Sequence, residues 1–212
     1  MYTLDRIITW FDRFIVGVGK VAAWLGLFLM LVIMFDVISR AQDISIVSST
    51  KLQELEWHLH GALFLLCLGF AYLKDAHVRI EVLRDRFSPR TRVWIEMFGS
   101  LLFVIPYSAI VVYWGYEFAE IAFRLGEESA QSGLSDRWII KAMIPVGFLL
   151  LLMSGLTVTM KCIIFLFGPE ELKAHAEFIA QTHHADMVEA GESPLDRNPT
   201  PPSEHDDYGG TR

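Results

Sequence analysis

The chain has 212 residues, 53% of them hydrophobic and only 20% charged, with a mean hydropathy of +0.38. That composition excludes an ordinary soluble enzyme, and 18 Lys+Arg against 25 Asp+Glu excludes a basic nucleic-acid binder. The two cysteines, Cys67 and Cys162, form no CxxC pair, which argues against thiol–disulfide chemistry.

Four runs contain no Asp, Glu, Lys or Arg: Val21–Phe35, Trp57–Leu73, Met97–Tyr116 and Ala142–Met160. A helix needs about 20 mostly apolar residues to cross the hydrocarbon core. With their flanks, the runs predict spans over about 14–38, 55–73, 94–117 and 140–163. The expected fold class is therefore an all-α membrane protein, with a four-helix membrane domain over 1–168.

The first run starts behind Lys20 and a mixed-charge segment holding Asp5 and Asp12. It is too long for a signal-peptide core, so an uncleaved first span is expected, although Ser39-Arg40-Ala41 has the small-x-small form of a cleavage site. Thr50-Lys51-Leu52-Gln53 has the pattern of a capping box opening the second helix. Glu54, Glu56, His58 and His60 follow at its membrane entrance, Glu54 facing His58 and Glu56 facing His60 at i,i+4. Such a cluster suggests a metal or haem ligand set, but the other spans contain no histidine to complete one. An interfacial polar cap that bonds to loops, head groups or a partner is the favoured reading.

Trp57 and Tyr72 bracket the second span. Beyond it, His77, Arg79 and Glu81 alternate with Val78, Ile80 and Val82, a period of two that suits an extended stretch on an interface. Ser88-Pro89 supplies an N-cap and a first-turn proline, so the third helix should start near Pro89. The 36 residues from there to Arg124 make roughly 54 Å of helix, longer than the bilayer is thick. Trp94 and Trp114 bracket this span, and Trp138 precedes the fourth. Pro106 and Pro145 lie within spans and are expected to kink them. Ser135-Asp136 should open the fourth helix and Gly168-Pro169 should end it.

After Pro169 the composition changes. Residues 169–212 hold 3 Lys+Arg and 10 Asp+Glu, so the tail carries the whole net charge of −7. A short surface helix over 169–190 and a disordered acidic tail over 191–212 are expected. With four spans, both termini share a side with the 74–92 loop, and that side owns thirteen basic residues against five opposite. The positive-inside rule places it in the cytoplasm.

A transporter usually declares its mechanism by ionisable residues at mid-membrane. Here Lys20, Asp36, Glu96, Glu117 and Lys161 all lie near span ends, where a side chain can snorkel to water. No phosphate loop, GxSxG or HExxH occurs, and no catalytic residue, metal or cofactor is expected. Two competing classes are a redox anchor holding haem through His58 or His60, and a self-contained small transporter, which the empty span interiors disfavour.

Several stretches together resemble one family. They are Glu56 and Gly61-Ala62 early in the second span, His77-Val78-Arg79-Ile80-Glu81-Val82-Leu83 after it, Phe87-Ser88-Pro89-Arg90, and Ile144-Pro145-Val146-Gly147. Over about residues 10–168 they resemble DctQ, the small membrane subunit of tripartite ATP-independent periplasmic (TRAP) transporters. The resemblance implies four spans with cytoplasmic termini in a bacterial or archaeal inner membrane. It also implies two partners besides the lipid bilayer. One is a large TRAP membrane subunit that carries substrate and sodium ions, and the other is a periplasmic solute-binding protein that delivers a solute, often an organic acid. The small subunit would pack against the large one and enlarge its scaffold. Candidate contact or structural residues are Glu56, Trp57, His58, His60, His77, Arg79, Glu81, Pro89, Trp138 and Pro145.

Overall fold

The computed structural model describes residues 2–42, 48–74, 87–129 and 133–169. The expected 77–83 interfacial stretch, the 169–190 helix beyond Pro169 and the 191–212 tail lie outside the described residues.

All secondary structure among the described residues is helical: α1 (Tyr2–Ala41), α2 (Ser49–Leu73), α3 (Pro89–Gly99), a π-helical segment (Ser100–Val104), α4 (Ile105–Leu125) and α5 (Trp138–Phe167). α3, the π segment and α4 follow one another without a break, so four helical rods are long and apolar enough to cross a membrane.

α1 begins well before the apolar run that starts near Phe14. Its 40 residues make about 60 Å of helix, roughly twice the hydrocarbon thickness. The extra turns stay helical because they have a partner: Ile8 packs on Ile164 with Leu4 and Met160 around them, and Asp12 pairs with Lys161 at 2.7 Å.

The helix starts follow local chemistry, with two departures from the expected punctuation. At α3 the Ser88 hydroxyl accepts the Thr91 N–H at 3.3 Å and Pro89 occupies the first turn, where its missing donor costs nothing. α2 starts one residue before Thr50 and has no side-chain cap; the Ser48 carbonyl instead accepts the N–H groups of Lys51 and Leu52 at 2.9 and 3.2 Å. α5 starts at Trp138 rather than Ser135. Asp136 sits at φ 62°, the left-handed region that Asp tolerates, and its carboxylate accepts the Trp138 indole N–H at 3.3 Å.

The two membrane prolines are accommodated differently. Pro106 follows the π segment, in which the Ile105 N–H bonds to the Ser100 carbonyl five residues back. The wider turn absorbs the missing proline donor at the cost of one displaced register. Pro145 lies inside α5, and the opposing residue on α4 is Gly115, where a Cβ would stand 3.3 Å from the proline ring.

Principal packing runs α1–α2–α5–α4, with α5 touching every other rod. Its small residues explain the central place. A Cβ on Gly147 would stand 2.6 Å from the Leu65 carbonyl oxygen, and one on Gly69 of α2 would stand 2.7 Å from that of Leu150. With no Cβ in the way, the two backbones approach closely, as membrane helices do where lipid offers no hydrophobic drive. Ser154 donates to the Gly69 carbonyl at 2.9 Å, and Ser100 donates to that of Gly155 at 2.9 Å. α1 and α4 occupy the ends of this row and expose large side chains, Val21, Trp24 and Met30 on one and Tyr113, Tyr116 and Phe123 on the other.

Candidate functional site

Four of the candidate residues gather on α2 where it enters the apolar zone, and the structure separates their roles. The Glu54 carboxylate reaches the turn between α4 and α5. There it accepts the Ser129 hydroxyl and, at 2.7 Å, the Leu134 N–H. Gly133 stands against the same carboxylate so closely that a Cβ would collide with it. His58 bonds through Nδ1 to the Glu54 carbonyl at 2.6 Å, which places its proton on Nδ1, and Nε2 is buried with no hydrogen-bond partner. Glu56 is partly buried with Oε1 also unpartnered, Trp57 is 76% exposed and His60 is exposed. The hydrogen bond that joins Glu54 and His58 at i,i+4 thus runs through the Glu54 backbone carbonyl.

The turn that Glu54 holds is also braced from within. Glu127 accepts Lys141 side chain to side chain and the Arg137 N–H on its carbonyl at 3.2 Å, and Lys141 lies 4.0 Å over the Phe118 ring. Trp138 stacks edge-on against Phe123 with centroids 5.2 Å apart. Trp138 and Pro145 both line an apolar cleft of about 630 Å³ between α4 and α5, walled also by Tyr113, Tyr116, Phe123 and Leu149. Pro89 opens α3, and His77, Arg79 and Glu81 lie outside the described residues.

Asp36 departs from the sequence expectation. It was expected to reach water from a span end, yet it is 1% exposed. It bonds to Arg40 of the next turn, whose side chain is half exposed, while Oδ1 has no partner. The Gly19–Phe70 and Gly26–Leu63 approaches set the antiparallel register of α1 and α2, and that register puts Asp36 level with Gln53, at the same end as the Glu54 cap. A buried carboxylate costs several kcal/mol unless paired, so Arg40 is what makes the position tenable.

Four of these residues, Glu54, Asp36, Asp12 and Lys161, are absent from the candidate contact residues, although Glu54 belongs to the polar cluster read at the start of the second span. Glu54 and Asp36 each carried an i,i+4 partner, a visible but common signal. The Asp12–Lys161 pair joins residues 149 positions apart and had none. Among the described residues no group of three or more His, Cys, Asp or Glu stands close enough to hold a metal ion. Asp36 is the one charged side chain among them that is buried, and it is already paired. The arrangement ties helices and a turn together.

Comparison with known proteins identifies a family. The family described as "Tripartite ATP-independent periplasmic transporters, DctQ component" matches residues 29–164. Neither curated proteins nor solved structures gave a match. The matched stretch covers more than half of the 212 residues, from mid-α1 through nearly all of α5. The chain belongs to the DctQ family, the small membrane component of TRAP transporters.

Proposed function

We propose that this chain is the non-catalytic scaffold subunit of a sodium-driven importer of an organic acid, working in an inner membrane with both termini in the cytoplasm. The observation that carries this reading is the emptiness of the span interiors. Asp36, the buried charge among the described residues, sits near the end of α1 and is neutralised by Arg40. A subunit that coupled sodium to solute would hold ionisable groups or broken helices at mid-membrane. Here substrate and sodium fall to the large membrane subunit, and the periplasmic binding protein delivers the solute.

The open row of helices supports a packing role. A row whose end helices expose Trp24 or Tyr113 and Tyr116 presents broad apolar faces that another membrane protein covers as readily as lipid. Glu56, Trp57, His58 and His60 on α2, with His77, Arg79 and Glu81 of the sequence that follows it, are the residues we assign to that contact or to its support. Thirteen basic residues on the side of the termini, against five opposite, support the cytoplasmic assignment.

Reconstitution tests the reading. Proteoliposomes holding the large and small subunits, with the binding protein and an inward sodium gradient, should accumulate solute. Vesicles holding this chain alone should not. Sodium-dependent accumulation by the chain alone would refute the scaffold role.

A further inference from the structure

We infer that the cleft where α1, the C-terminal end of α2 and the last turns of α5 meet is a binding site for the phosphate group of an anionic phospholipid whose headgroup carries a hydroxyl. The cleft measures about 310 Å³ and is lined by Asp12, Arg13, Val16, Leu73, Lys74 and Lys161. Among the described lining residues, three cations against one carboxylate leave an excess of two positive charges. Lys161 is held by Asp12 at 2.7 Å, whereas Arg13 and Lys74 are exposed at the mouth.

Depth selects the ligand. The register of α1 on α2 puts Val16 level with Leu73, the last residue of the second helix. At this end of the bundle the Tyr72 hydroxyl donates to Glu96 at 3.3 Å and Trp94 lies edge-on to Phe167, an aromatic band of the kind found where hydrocarbon meets headgroups. Basic pockets between helices at that level are suited to anionic headgroups. Val16 and Leu73 provide apolar wall for the glycerol and the first acyl carbons.

Asp12 adds a second requirement. Its Oδ1 is buried with no hydrogen-bond donor among the described residues, although Oδ2 is paired with Lys161. A glycerol headgroup satisfies both demands, since its phosphodiester meets the cations and its O–H is a donor for Oδ1 when the carboxylate, which lines the cleft, rotates toward it. Choline has no O–H or N–H to give. The inference concerns the membrane environment of this chain and is independent of the partner assignment.

The test uses the full chain, delipidated in detergent, with phosphatidylglycerol, phosphatidylcholine or inorganic phosphate added. Native mass spectrometry should show phosphatidylglycerol retained in preference to phosphatidylcholine, with a higher melting temperature. Arg13→Gln on α1 and Lys74→Gln just past the end of α2 should each weaken retention by about 5-fold, the effect of one surface cation on an anionic lipid. Arg6→Gln, on α1 outside the cleft, should leave retention unchanged. Equal retention of the two lipids, or wild-type retention in both cleft variants, would overturn the site. Equal stabilisation by inorganic phosphate would make it a soluble-anion site and overturn the lipid assignment.

Discussion

Gly69→Ala should force α2 and α5 apart. An added Cβ would stand 2.7 Å from the Leu150 carbonyl oxygen, 2.8 Å from its carbon and 2.9 Å from Ser154 Oγ, where ordinary contact begins near 3.4 Å. Two of the three obstacles are backbone, so relief needs a helix shift of about 0.7 Å rather than a rotamer change. Overpacking of this kind costs about 1–3 kcal/mol. The same shift stretches the Ser154–Gly69 hydrogen bond from 2.9 Å beyond useful length, a loss of about 0.6 kcal/mol by the average for interhelical bonds in membranes. Against this, replacing glycine by alanine inside a helix gains up to about 1 kcal/mol. The net expectation is a loss of about 1–2 kcal/mol. Gly17→Ala supplies the reference, because nothing lies within 4 Å of its Cβ position and only the propensity gain remains. Unfolding in mixed micelles by titration with denaturing detergent, followed by circular dichroism, should separate the two variants by about 2–3 kcal/mol. Equal midpoints would mean that the tight α2–α5 crossing is not what holds the row together.

Further outcomes follow from the two ends of the bundle. Glu54→Ala should abolish hydrogen-exchange protection of the Leu134 amide, which the carboxylate accepts at 2.7 Å; unchanged protection would remove Glu54 as the clamp on the α4–α5 turn. Arg79→Ala should reduce co-purification of the large subunit far more than Arg90→Ala, an exposed residue at the start of α3. Breaking a buried charged contact at an interface costs about 2–5 kcal/mol against at most about 1 for an exposed pair, and equal, negligible losses would leave the 77–83 stretch without a docking role. Reporter fusions should be active in the cytoplasm when placed after Arg212 and outside when placed near Ser48; the reverse would invert the topology drawn from the basic residues.

Four spans and the family were legible without coordinates, and the reason is physical. Hydrocarbon imposes length and composition on each helix separately, so Val21–Phe35 or Ala142–Met160 declares itself without knowledge of its neighbours. The start of α3 was legible for a similar reason, because Ser88 and Pro89 act on the first turn that follows them. Helix order in space was not legible. Apolar residues face lipid and protein alike in a membrane, so periodicity does not say which face is packed, and α5 took the centre because Gly147, Ser154 and Gly155 let other backbones approach. Nor could sequence assign the ends of α1. Its first turns are helical because Ile8 and Asp12 meet Ile164 and Lys161, residues that chain order puts at the far end of the domain. Asp36 lies near a span end like Glu96 and Glu117, and only the packing of α1 on its neighbours decided that it would be buried against Arg40 instead of reaching water. Local sequence determines what a segment can be in lipid; which polar groups are shut away from water depends on which helix comes to lie beside them.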